Sequence, residues 1–157
     1  MTTWDERTRT AYHESGHFVV AHLLPCRILR ISAITIREDP RYHGGLVCEN
    51  DPWFGRRDAE ALCQVLVAGY EAETILTGKP EPRASLTDLT QLQDLARQME
   101  EQPEAARKLR VAIHQRARTL LRLRWNAVVS LAQELMSRET VEACEAAWVV
   151  DLAVAGG

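Results

Sequence analysis

The sequence predicts a mainly α domain of the α+β kind, with a small β-sheet after the first helix and a C-terminal helical bundle. Three observations carry that expectation. Apolar residues recur at helical spacing from Arg56 almost to the C-terminus. Alternation rich in β-branched residues is confined to ILRISAITIRE, residues 28–38. The prolines fall between these segments or at their first positions, where they interrupt nothing.

Taken in order, Thr3 followed by Glu6 has the form of a capping box, and Pro25 closes a helix of about 20 residues. ILRISAITIRE reads as a strand centred on Ile34, Thr35 and Ile36. DPRYHGG turns the chain, and LVCEN, residues 46–50, is a candidate second strand. From Arg56, the spacing of Leu62, Leu66, Gly69 or Tyr70, Glu73 and Leu76 predicts an amphipathic helix that Gly78 and Pro80 terminate. EPRAS is a short loop, Ser85 opens the next helix, and Pro103 starts another at its first position. That helix is expected to run on past Arg124 to about Met136, with a last one after Glu139 containing Trp148. No repeat, low-complexity tract or linker divides the chain, and 157 residues suit one domain with a single core.

Composition narrows the function. A hydrophobic share of 46%, a charged share of 26% and a net charge of −3 describe a soluble globular protein without overall attraction to nucleic acid or membrane. Apolar runs such as FVVAHLL stop well short of the roughly 18 residues that span a bilayer. Asp5, Glu6 and Arg7 precede the first apolar residues, so no N-terminal signal is expected. The four cysteines include no C-x-x-C pair, which argues against a disulfide framework or a four-cysteine zinc knuckle and for a reducing, cytoplasmic setting. They are expected in the core, and Trp4, Trp53, Trp125 and Trp148 as packing anchors. Arg107, Lys108, Arg110, Arg116, Arg118, Arg122 and Arg124 form a basic run, expected to be a solvated helix face paired with acids elsewhere. An interaction module using that run is the sharper alternative.

The chemistry concentrates in TAYHESGHFVVAHLLP, residues 10–25. Two imidazoles and a carboxylate amid apolar neighbours must face water or be bound by something, because burying them unpartnered is unfavourable. On a helix, residues four apart lie about 40° from one another, so His13 and His17 share a face and can grip one Zn²⁺. Such an ion polarises a carbonyl and acidifies water, and Glu14 stands where it can take the proton as general base. A catalytic zinc needs a third protein ligand. Continuing as a metzincin would require Gly at 20 and His at 23, where Val20 and Leu23 stand. Glu71, Glu73 and Asp88 remain candidates, with Glu38 less well placed on the strand. Asp88 has a plainer reading too, since Ser85-x-x-Asp88 is itself a capping-box pattern. His22, His43 and His114 are out of register with the pair and are expected to be structural or surface residues.

HESGH, then LVAGYEAETILTG, then ASLTDLTQLQDLARQM, then LMSRET occur in an order that resembles the peptidase domain of the FtsH-like, AAA-linked zinc metallopeptidases. The resemblance extends from about residue 8 to 150. It implies a helical metallopeptidase domain in which His13, His17 and Asp88 hold zinc and Glu14 is the base. It also implies peptide or unfolded-protein substrates lying along a sheet edge, for which GGLV, with Gly44, Gly45, Leu46 and Val47, is the candidate. Tyr70 and Glu71 stand where the family has Arg and Ala, and PRAS replaces its TTGA, so the cleft is expected to differ. Neither lysine belongs to a G-K-[ST] phosphate loop, so any unfoldase would be a separate partner. The alternative expectation is a non-catalytic descendant that keeps zinc for stability and uses the fold to bind a protein.

Overall fold

A computed structural model describes residues 3–24, 29–37, 47–48, 55–79 and 85–157, and the architecture is mainly helical. The first helix, α1 (Glu6–Leu23), starts from Asp5, whose carboxylate accepts hydrogen bonds from the Thr8 backbone N–H at 2.8 Å and the Thr8 hydroxyl at 3.1 Å. Asp5 therefore replaces the expected Thr3–Glu6 capping box, because a carboxylate one residue before the helix satisfies its free N–H groups directly.

Two short antiparallel pairings follow, where one sheet was expected. Strand β1 (Leu29–Arg30) pairs with β3 (Val47–Cys48), Leu29 opposite Cys48 and Arg30 opposite Val47. Strand β2 (Ala33–Thr35) pairs instead with a strand far along the chain, β4 (Thr140–Glu142), in the register Ala33–Glu142, Ile34–Val141, Thr35–Thr140. Ile34 and Val141 are both buried, so this pairing closes the core over α1.

The central element is α2 (Arg56–Thr77), which Gly78 ends in a left-handed conformation with its N–H bonded to the Thr74 carbonyl. One side of α2 packs on α1. The other meets α3 (Leu86–Met99) and α4 (Pro103–Leu123) through Cys63, Val67, Leu92, Ala96, Ala106 and Ile113. The larger core joins α1 and α2 to α5 (Trp125–Arg138) and α6 (Ala143–Ala155) through Val20, Val65, Ala68, Val128, Leu131 and Val150, with Leu121 of α4. The single long helix expected past Arg124 is thus broken there, at φ −116° and ψ 27°. Leu121 and Val128, on either side of the break, both enter the larger core.

Two side-chain expectations change in part, those for the cysteines and the tryptophans, while the basic run pairs with acids as expected. Cys63 is buried, and burial pushes its thiol pKa up to about 12, but Cys144 is exposed. Trp125 packs on Tyr12 at 5.6 Å, whereas Trp148 lies 65% exposed on α6 and Trp4 39% exposed. Of the basic run, Arg107, Arg116 and Arg118 pair with Glu104, Glu60 and Glu71. Cys26, His43 and Trp53 lie outside the described residues. Among the described residues, no helix is long and apolar enough to cross a membrane.

Candidate metal centre

Gly16 lets α1 press onto α2: a β-carbon there would stand 2.6 Å from the Ala72 β-carbon and 2.7 Å from the Ala68 carbonyl oxygen. That approach buries His13 and His17 on the inner face of α1. Their Nε2 atoms lie 3.0 Å apart. From the first turn of α3, Asp88 places Oδ2 3.3 Å from His17 Nε2 and 3.8 Å from His13 Nε2. These three residues offer ligand atoms that all lie within 4.8 Å of one another, a group able to hold a metal ion. Asp88 is the most open of the three, with 26% of its side chain exposed.

The opposite ring nitrogens decide what the Nε2 atoms are. His17 Nδ1 lies 2.6 Å from the Val65 carbonyl oxygen, which can only accept, so Nδ1 carries the hydrogen and Nε2 presents a lone pair. His13 Nδ1 lies 2.6 Å from Glu73 Oε1 and donates to that carboxylate in the same way. Glu73 is buried, and its other oxygen accepts from the Arg9 guanidinium at 2.8 Å. Two imidazole lone pairs 3.0 Å apart beside a carboxylate oxygen require a positive charge between them. A proton can supply it. Burial works to lower the His13 pKa, but the Asp88 and Glu73 carboxylates outweigh it and raise the value to about 9. A metal ion entering this site would displace that proton.

The acids respond in kind. Burial works to raise the Asp88 pKa, but its bonds to the two imidazoles hold it far below the usual carboxylate range. Glu73 is likewise pulled down by His13 and Arg9 against the effect of burial. Glu14 goes the other way: burial raises its pKa, opposed by the fields of His17 and His13 and assisted by those of Asp88 and Glu73.

The structure thus brings His13, His17 and Asp88 together and sets Glu14 within their field. Ser85 makes no capping bond from its side chain, so the Ser85–Asp88 capping box is not formed. Glu73 contacts His13 Nδ1 away from the converging Nε2 atoms, and Glu71 turns to His114 and Arg118 on α4. Glu38, Gly44, Gly45 and Leu46 lie outside the described residues, and Val47 sits in β3. Sequence reasoning missed Arg9, although its position one turn before His13 placed it on the same helix face. It also missed Val65, which acts through its backbone carbonyl and leaves no side-chain signal. Compared with models of protein families and with curated proteins, the chain matches none.

Proposed function

We propose that this chain is a zinc-dependent peptidase-like domain that hydrolyses peptide bonds, as its resemblance to the FtsH-like metallopeptidases implies. The observation that carries the reading is the convergence of two imidazole lone pairs and one carboxylate oxygen, at 3.0, 3.3 and 3.8 Å from one another. Ligands about 2.1 Å from a tetrahedral Zn²⁺ stand about 3.4 Å apart, which these separations bracket. Two histidines and a carboxylate also form the donor set of a catalytic zinc that keeps a fourth position open.

Bound there, Zn²⁺ would polarise the scissile carbonyl and lower the pKa of water. Glu14 takes the proton from the attacking water and delivers it to the departing amine. Its raised pKa makes it a stronger base than an exposed carboxylate. Glu73, braced by Arg9, holds the tautomer of His13, and the Val65 carbonyl holds that of His17. The segment Gly44, Gly45, Leu46 and Val47 is the proposed seat of an extended peptide. Substrates would be flexible peptides or chains opened by a separate unfoldase in the cytoplasm.

Cleavage of casein tests the reading. Zinc-loaded protein should cleave it, a chelator should stop cleavage, and added zinc should restore it. Glu14→Gln should bind zinc and remain inactive. Equal silence from the zinc-loaded wild type and Glu14→Gln would instead favour a zinc-stabilised binding domain.

A further inference from the structure

Gly69 lies well inside α2, where glycine is the least favourable residue for a helix apart from proline. Its backbone conformation is helical, so no turn asks for it. What asks for it is space. A β-carbon on residue 69 would stand 2.5 Å from His13 Nε2, 2.5 Å from His17 Nε2 and 2.6 Å from His13 Cε1. Real β-carbons essentially never approach another heavy atom within 3.0 Å, so one such carbon would collide with both imidazoles at once.

Elsewhere a clash with side-chain tips relaxes by rotation. Here both rings are pinned from behind: His13 by Glu73, itself braced by Arg9, and His17 by the Val65 carbonyl. Both are also more than nine-tenths buried. A ring could retreat only by breaking its Nδ1 bond and leaving a buried polar group unpaired. Were the rings to stay, the methyl would lie against the very nitrogens that must bind.

We infer that Gly69 is a positioning residue of this centre: its missing side chain is the space in which the two Nε2 atoms converge. Gly16 does a different task, since a β-carbon there meets helix scaffold at Ala72 and Ala68. The inference about metal rests on the zinc reading above, while its steric half does not.

The test joins metal binding to a thermal cycle. Zn²⁺ or Co²⁺ is titrated into metal-free wild type and Gly69→Ala, with the visible absorption of four-coordinate Co²⁺ as the signature. Gly69→Ala should bind at least about 100-fold more weakly, as much as or more than loss of a histidine's supporting partner costs, and should lose that absorption. Melting is then compared for Gly69→Ala in the natural background and in one carrying His13→Ala and His17→Ala. With both imidazoles present the methyl should lower Tm. Without them it should raise Tm by roughly 2–4 °C, the ordinary helix gain of alanine over glycine. Wild-type affinity and an unchanged Co²⁺ spectrum in Gly69→Ala would overturn the inference. So would an equal loss of Tm, or failure to fold, in both backgrounds. A wild type that binds no metal would sink the zinc reading but leave the thermal cycle to decide the steric one.

Discussion

Two residues apart on α2, the chain builds the same arrangement twice and puts it to different ends. Glu73 receives His13 Nδ1 at 2.6 Å and Arg9 at 2.8 Å, while Glu71 receives His114 Nδ1 at 2.7 Å and Arg118 at 2.6 Å. Both glutamates are buried, and in both the bonded histidine and arginine hold the carboxyl pKa down against the effect of burial. About 200° separates residues two apart on a helix, so Glu73 faces α1 and Glu71 faces α4. The difference lies at the other ring nitrogen. His13 Nε2 meets a second imidazole and Asp88, whereas His114 packs edge-on against Tyr70 and belongs to no potential metal-binding group among the described residues. A carboxylate–histidine pair is therefore a tautomer-fixing device in itself; it serves a metal centre only where further ligands converge.

Removing each glutamate should expose that division. Glu71→Ala strands the Arg118 cation and leaves His114 Nδ1 without its acceptor, and breaking a fully buried ion pair costs roughly 3–5 kcal/mol. Arg118 is 40% exposed and can rehydrate, so the expected loss is about 2–3 kcal/mol. At 2–4 °C per kcal/mol, calorimetry should show Tm lower by about 4–12 °C, with zinc affinity almost unchanged. A parallel fall in metal affinity would show that the two centres are coupled through α2. Glu73→Gln should do the reverse. It keeps an acceptor for His13 Nδ1 but removes the charge, so zinc affinity by competition titration should drop about 10–100-fold. Unchanged affinity would reduce Glu73 to a structural acid like its neighbour.

The same contrast explains what could be read from the sequence. His13 and His17 were legible because helical spacing alone puts them on one face. A third candidate ligand was not legible from spacing, which left Glu71, Glu73 and Asp88 open. The resemblance to the FtsH-like peptidases pointed to Asp88, and the packing of α3 against α2 brings it beside the imidazoles. The end of α2 followed from Gly78 and the start of α4 from Pro103, each a local signal. The break at Arg124 has no such signal, because neither proline nor glycine stands there and the core contacts of Leu121 and Val128 accompany it. Strand β4 was missed for a related reason, since three residues gain their extended form only by pairing with β2. Cys144 and Trp148 look like core residues by type, yet each lies on the outer side of α6.

The smallest expected effect isolates charge at Glu71 alone. Burial by itself would raise this carboxyl's pKa; the bonds from His114 and Arg118 outweigh it and set the folded value below the usual 4.5. A depressed folded pKa gives stability that is fully present above the unfolded value and is lost as pH falls through the folded one. Metal-free wild type should therefore shed Tm below about pH 4.5, and Glu71→Gln should shed less. The gap between the two melting curves narrows as the medium is acidified. Glu73 and Asp88 are depressed as well, so the variant keeps a residual slope that belongs to the other side of α2. A gap that stays constant from pH 7 to pH 3 would mean that Glu71 acts through packing rather than charge, and the likeness between the two carboxylate–histidine pairs would then be one of shape only.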